Sequence, residues 1–181
     1  RLQGDRIALV PFAGDAFIQC PLTLDYSAAL LLLNEIDTYT VSLPGTALGR
    51  ALETATRCFV QEERKYKVLI FITDGEDTAG QPEPVEVAKA AAKDGVIIYT
   101  IGVGTQDGVP IPVYDENRQL AGYKQTKDGE KVLSRLDEDT LRKIASETRG
   151  QYFRATNERL ELDRIYDDIS QLETKEIHSA I

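Results

Sequence analysis

The chain has 181 residues, enough for one domain, and its 42% hydrophobic and 28% charged residues are typical of a globular protein rather than a disordered one. Asp and Glu outnumber Lys and Arg by 30 to 21, and the net charge of −9 argues against a nucleic-acid partner and against an anionic membrane surface. One histidine, His178, and two cysteines, Cys20 and Cys58, argue against histidine-based catalysis, a multi-histidine zinc site and a disulfide-dense scaffold.

Patterns typical of strands and helices alternate over the first part of the chain. Residues 6–12 are rich in apolar and β-branched side chains, which predicts a buried strand. Residues 16–20 predict a second, antiparallel edge strand that Pro21 ends. Helices are predicted over 26–36 and from about 46 to 60. The apolar face of the second helix consists of Leu48, Leu52, Ala55 and Phe59.

The middle of the chain contains the clearest strand. Residues 67–73 are too short for a helix, nearly all apolar, and followed by Asp74-Gly75. Continuous rather than alternating hydrophobicity indicates that both faces of the strand are covered, as in a parallel sheet between helices. Residues 84–93 predict a helix that Asp94-Gly95 closes, and 96–103 predict another fully buried strand.

The last third begins with an interruption of this alternation. Residues 105–135 are polar and rich in turn signals, and they predict a surface β-hairpin insertion with strands near 110–114 and 119–124. The elements predicted after it are a helix from Asp137 or Asp139 to about Arg149, a strand at 151–155 and a helix over about 158–172. The whole pattern predicts an α/β fold: a three-layer sandwich with a mostly parallel central sheet.

Residues that could carry chemistry follow the predicted strands and loops. Asp74 stands at the carboxyl end of a buried strand, where ligands bind in open parallel sheets, but Thr-Asp-Gly is also a common strand-exit turn. Glu76 and Asp77 add carboxylates that could bind a hard cation or form a solvated acidic loop. Thr46, in Pro-Gly-Thr before a helix, is either an N-cap or first-turn residue of that helix or a functional residue.

Four stretches resemble the von Willebrand factor A domain, and more narrowly the bacterial aerotolerance-operon proteins of the BatA and BatB group. The stretches are GDRIALVPFAGDAFIQCPLT, PGTALGRAL, KVLIFITDGED and VIIYTIGVGT. The resemblance covers nearly the whole chain and implies a single domain over 1–181.

The resemblance implies a metal-ion-dependent adhesion site built from three loops. Thr46 matches its second-loop threonine and Asp74 its third-loop aspartate. The first-loop motif, Asp-x-Ser-x-Ser, is not found, and the nearest string, at 25–29, lacks the second serine. We therefore expect an N-terminally truncated domain whose central strand is missing between 6–12 and 67–73. An upstream segment, a neighbouring chain or direct pairing of the two flanking strands would fill that gap. Mg²⁺, or Mn²⁺ or Ca²⁺, would bind the intact domain and bind weakly or not at all here.

The function implied by the resemblance is protein binding rather than catalysis. A partner protein, which could come from the same operon, would donate a carboxylate to the metal ion. The full-length protein would be anchored in the bacterial inner membrane with this domain facing the periplasm. Two alternatives remain open: a metal-assisted phosphoryl-transfer or hydrolytic enzyme using Asp74 and Asp77, and a structural module without metal. No base, nucleophile or phosphate loop at a recognisable spacing supports the enzyme.

Overall fold

The strands and helices follow one another along the chain in the predicted order. The computed structural model describes residues 4–59, 66–115, 117, 119–155, 164–165 and 167–168. The helices are α1 (Tyr26–Asn34), α2 (Leu48–Thr56), α3 (Pro84–Lys93) and α4 (Glu138–Glu147). The strands are β1 (Ile7–Leu9), β2 (Cys20–Thr23), β3 (Lys67–Thr73), β4 (Val96–Gly102), β5 (Val109–Pro110), β6 (Pro112–Tyr114), β7 (Leu120–Tyr123), β8 (Leu133–Ser134) and β9 (Tyr152–Arg154).

The central sheet is parallel, with the strand order β3-β4-β9. β3 and β4 pair in unbroken register from Lys67 opposite Val96 to Thr73 opposite Gly102, so both strands end at the same edge of the sheet. The predicted α/β class and the parallel pairing of 67–73, 96–103 and 151–155 are therefore confirmed.

Apolar side chains pack on both faces of this sheet, but one face of β3 is partly exposed, so the prediction that both faces of 67–73 are covered is wrong in the described structure. On one face, α2, α3 and α4 pack around fully buried residues such as Leu52, Ile98 and Leu141. On the other face, Ile165 packs against Tyr99 and Ile101. Residues 164–165 and 167–168 are helical, and the rest of the helix predicted over 158–172 lies outside the described residues.

The first two strands form an antiparallel pair. The strand predicted at 16–20 is wrong in position, because the turn after Phe12 leaves only an isolated bridge to Ala16 and the strand itself is Cys20–Thr23. Pro21 lies inside this strand rather than after it. An edge strand tolerates proline, because the missing N–H can face away from the ladder.

The strand predicted at 6–12 is shorter and only half-buried, and its pairing among the described residues is antiparallel, with β2. No ladder joins β1 to β3 among the described residues. The two regions meet through the ring of Phe12, which stacks on Phe71 with 5.0 Å between the ring centroids. One hydrogen-bonding edge of β3 is therefore unpaired in the described structure. Ile70 and Ile72 on this strand are 42% and 55% exposed. Direct pairing of the two flanking strands, one of the three expected ways to fill the gap, is not formed.

The insertion forms antiparallel strand pairs as predicted, and α2 is shorter than predicted. Residues 105–135 form two short antiparallel ladders, β6 with β7 and β5 with β8, as the hairpin prediction requires. The helix predicted from 46 to 60 is shorter, Leu48–Thr56. Phe59 therefore lies beyond the helix, half-buried against the core that α2 covers.

Leu52 gives a direct test of the packing of α2. Its side chain is fully buried, so Leu52→Ala should leave a cavity and lower the free energy of unfolding by about 2–5 kcal/mol in chemical denaturation. Glu53 is exposed on the same helix and pairs with Arg57 at 2.9 Å, so Glu53→Ala should cost about 0.5 kcal/mol or less. Equal losses in the two variants would contradict the burial of this face.

Candidate metal site at the carboxyl edge of the sheet

Two loops, 45–47 and 74–79, lie side by side where β3 ends. The Thr46 amide donates to Thr78 Oγ1 at 2.8 Å, and the Thr78 amide donates to the Thr46 carbonyl at 2.9 Å. The Ala79 amide donates to the same carbonyl at 3.3 Å. The structure therefore brings the loop of Thr46 onto the loop that begins with Asp74.

The Asp74 carboxylate is held by a residue from the insertion. Ser134 Oγ donates to Asp74 Oδ2, with 2.7 Å between the two oxygens. Asp74 Oδ1 has only longer contacts, at 3.4 Å, from Thr73 Oγ1 and from the Glu76 amide. Oδ2 therefore accepts a short hydrogen bond, and Oδ1 can still accept a further hydrogen bond or bind a cation.

Glycine is required immediately after Asp74. Gly75 is buried and has a φ of +78°, and a Cβ atom there would lie 2.7 Å from the Asp137 carbonyl. The Asp137 amide in turn donates to the Asp74 carbonyl at 2.9 Å. The turn role that Thr-Asp-Gly suggests is therefore real, and it coexists with the half-buried position of the Asp74 carboxylate at the end of the strand.

The neighbouring acids do not converge on one point. Glu76 Oε2 accepts from the Arg135 amide at 3.1 Å. Asp77 Oδ2 accepts from the Gly80 amide at 3.1 Å, and its Oδ1 accepts from the Leu48 amide at 3.3 Å. Each carboxylate satisfies separate backbone donors, and no group of three or more His, Cys, Asp or Glu side chains suited to a metal occurs in the part of the chain that the structure describes.

The start of α2 is capped from a different loop than predicted. The N-cap residue is Ala47, which has no side chain to accept a hydrogen bond, so Thr46 is neither the cap nor a residue of the first turn. Asp77 supplies the missing acceptor for the amide of Leu48. The backbone of α2 also lies close to the backbone at Pro82, because a Cβ atom at Gly49 would lie 1.8 Å from the Pro82 carbonyl oxygen.

Thr46 and Asp74 carry the kinds of oxygen donor that the expected metal site would use. Hydroxyl and carboxylate oxygens are hard ligands suited to Mg²⁺, which takes six oxygens in octahedral geometry, several of them from water. Thr46 and Asp74 could supply one side-chain ligand each, and Oδ1 is the less engaged oxygen of Asp74. Asp25, the first residue of the nearest Asp-x-Ser string, instead caps α1 by accepting from the Ala28 amide at 2.9 Å.

The glycine that ends β4, Gly102, has a packing role. A Cβ atom at Gly102 would lie 2.7 Å from Tyr152 Oη and 2.8 Å from Leu136 Cδ1. This crowding is a steric reason for glycine at position 102. Burial of the phenol raises the pKa of Tyr152, and the negative charge of Glu138 adds to the effect.

A parallel sheet between helices, with polar residues from adjoining loops at the ends of its strands, defines an α/β protein of the kind that binds ligands at that edge. The von Willebrand factor type A domain model matches residues 2–168, and the chain belongs to this family. Domains of this family typically mediate protein–protein interactions, commonly through a divalent metal ion at an adhesion site.

Two solved structures from Bacteroides are similar over most of the chain. A conserved hypothetical protein BatB from Bacteroides thetaiotaomicron is 37% identical, with a TM-score of 0.86, 96% of this chain and 82% of that chain covered. An aerotolerance-related membrane protein from Bacteroides fragilis NCTC 9343, carrying multiple mutations to serines, is 32% identical, with a TM-score of 0.84 and coverages of 94% and 81%.

Curated relatives are longer than this chain. A UPF0353 protein from Mycolicibacterium paratuberculosis is 27% identical over 162 residues, which cover 85% of this chain and 44% of the relative. The chain spans less than half the length of the curated relatives it matches. Within the described residues, none of the helices has the length and hydrophobicity needed to cross a bilayer.

Asp77 tests how the two loops are held together. Asp77→Ala removes the acceptor for the Leu48 and Gly80 amides and should lower the free energy of unfolding by about 0.5–2 kcal/mol, the usual effect of losing a helix cap. Asp77→Asn keeps an acceptor oxygen and should retain most of the stability in urea denaturation. Asp128→Ala, at an exposed turn, is the control. Equal losses in the two Asp77 variants would assign the effect to charge rather than to hydrogen bonding.

Proposed function

We propose that this chain is the non-enzymatic binding domain of a bacterial membrane-anchored protein, and that it holds a divalent cation to which a partner protein donates a carboxylate. The observation that carries the proposal is the pairing of the Thr46 loop with the loop beginning at Asp74, at the edge where β3 ends. Family membership supports it, because domains of this family commonly hold a divalent ion at an adhesion site, and the sequence resemblance assigns Thr46 and Asp74 to that site.

The charge of the chain supports a role for the cation. A protein with a net charge of −9 repels an acidic partner at long range. A divalent ion at the edge of the sheet would reverse the sign of the potential locally and give a carboxylate a specific ligand position. Mg²⁺, with Mn²⁺ or Ca²⁺ as alternatives, suits the oxygen donors of Thr46 and Asp74.

The unpaired edge of β3 supports a site that is completed by a further strand. A strand placed between β1 and β3, parallel to β3, would end at the same edge of the sheet as Thr73. Its following loop would then lie beside Thr46 and Asp74 and could supply the remaining ligands. Within the described part of the chain, no strand pairs with the second hydrogen-bonding edge of β3, and its N–H and C=O groups are the physical reason to expect such a strand.

The cellular setting is proposed from the similar proteins. The two Bacteroides structures are described as BatB and as an aerotolerance-related membrane protein. By extension, we place the domain on the periplasmic side of the inner membrane, with protein partners that include products of the same operon. The hydrogen bonds that both oxygens of Asp77 accept from backbone amides favour a structural role for this carboxylate over the enzyme alternative that uses Asp74 and Asp77.

Thermal unfolding with and without millimolar Mg²⁺ tests the metal site. The 181-residue chain should respond little, and a version extended upstream by its natural sequence should be stabilised by about 2.7 kcal/mol at a hundredfold excess of Mg²⁺ over its Kd. Asp74→Ala and Thr46→Ala in the extended version should each abolish the shift, and Asp128→Ala should preserve it. A full shift in the 181-residue chain would show that two loops suffice. No shift in the extended version would favour the structural module.

Partner binding can be tested with the same variants. The extended wild-type domain should retain a protein partner from solubilised membranes in Mg²⁺ and release it in EDTA, because the ion supplies the ligand position. Asp74→Ala should retain little in either buffer. Retention that is equal in Mg²⁺ and EDTA would contradict a metal-mediated contact.

A further inference from the structure

The C-terminal end of the insertion at 105–135 contacts the loop that carries Asp74. β8 leads directly into three contacts with the loop after β3, two of them made by backbone amides. The Arg135 amide donates to Glu76 Oε2 at 3.1 Å, and the Asp137 amide donates to the Asp74 carbonyl at 2.9 Å. The third contact is different in kind, because it joins two side chains: Ser134 Oγ to Asp74 Oδ2 at 2.7 Å.

We infer that Ser134 is a positioning residue for Asp74, and that its hydroxyl sets which carboxylate oxygen is presented to the cation. The inference rests on the proposed metal site. A hydroxyl has one hydrogen to donate, and here that hydrogen is committed to Oδ2 at short distance. Oδ1, with contacts only at 3.4 Å, is left as the oxygen with free accepting capacity.

A hydrogen bond to one oxygen of a ligating carboxylate restricts its rotation and orients the other oxygen. Such outer partners of metal ligands typically change affinity about 10- to 100-fold when removed. Ser134 is well suited to the role, because it lies on β8, whose pairing with β5 fixes its backbone. Its side chain is partly buried, so water competes less for the carboxylate than at an exposed position.

The two backbone contacts make it possible to test the orientation of the Asp74 carboxylate separately from the attachment of the insertion to the loop after β3. The amides of Arg135 and Asp137 are unchanged by a substitution at Ser134, so the end of the insertion should remain on the loop when the hydroxyl is removed. Ser134→Ala therefore frees the carboxylate of Asp74 without detaching β8. Ser134→Thr keeps the hydroxyl and suits a strand.

The experiment measures Mn²⁺ binding to the whole natural protein by calorimetry, with wild type, Ser134→Ala, Ser134→Thr and Ser146→Ala. Ser146 is the matched control, because its exposed hydroxyl donates to the Lys143 carbonyl on α4. We expect Ser134→Ala to weaken Mn²⁺ binding at least about 10-fold. Ser134→Thr should recover affinity to within about threefold of wild type, and Ser146→Ala should bind like wild type. Amide hydrogen exchange at Arg135 and Asp137, measured in EDTA, should be the same in all four proteins.

Three results would overturn the inference, and they are distinguishable. Wild-type affinity in Ser134→Ala would refute the positioning role and leave the proposed metal site intact. Weakened binding with faster exchange at Arg135 and Asp137 would show that the serine merely attaches the insertion. Absence of Mn²⁺ binding in the wild-type protein would refute the metal site of the proposed function, and the inference would fail with it.

Discussion

The parallel pairing of β3 with β4 is the constraint on which the rest of the molecule depends. Seven consecutive residue pairs bring both strands to the same edge of the sheet. The turn after Thr73 and the glycine at Gly102 therefore lie next to each other, and the Val103 amide donates to the Thr73 carbonyl at 2.9 Å. The loops that follow β3 and β4, including the loop of Asp74, therefore begin at this edge because of the strand pairing alone.

Acidic residues at that edge serve two purposes. Glu76 and Asp77 accept hydrogen bonds from backbone amides of other segments, and in doing so they fasten the insertion and the start of α2 to the loop after β3. Asp74 differs because its partner is a side-chain hydroxyl and one of its oxygens has only long contacts. A row of acids in a sequence is thus a poor guide to a cation cluster. Here the carboxylates of Glu76 and Asp77 are oriented by separate backbone amides, and they belong to no group of three or more potential metal ligands among the described residues.

The sequence pattern was most informative where the signal is local. The strand at 67–73 follows from its continuous apolar run, and the helix at 84–93 from its initial proline and closing Asp-Gly. The strand at 16–20 was misplaced because the turn after Phe12 has no signal that sets the register of the next strand. The meeting of the Thr46 and Asp74 loops could be anticipated from the family resemblance and the strand ends. The contact of Ser134 with Asp74 could not, because it joins residues 60 positions apart and depends on how the insertion folds back.

The close approach at Gly49 limits how this domain could be engineered. Glycine inside a helix normally invites replacement by alanine, which gains up to about 1 kcal/mol of helix propensity. Here an added methyl group would lie 1.8 Å from the carbonyl oxygen of Pro82, so the helix would have to move away from the loop that follows the site. Thermostability screens that rank substitutions by propensity alone would select this change first and obtain a less stable protein. A glycine at this position is therefore a packing requirement, and a library for improved expression should hold it fixed.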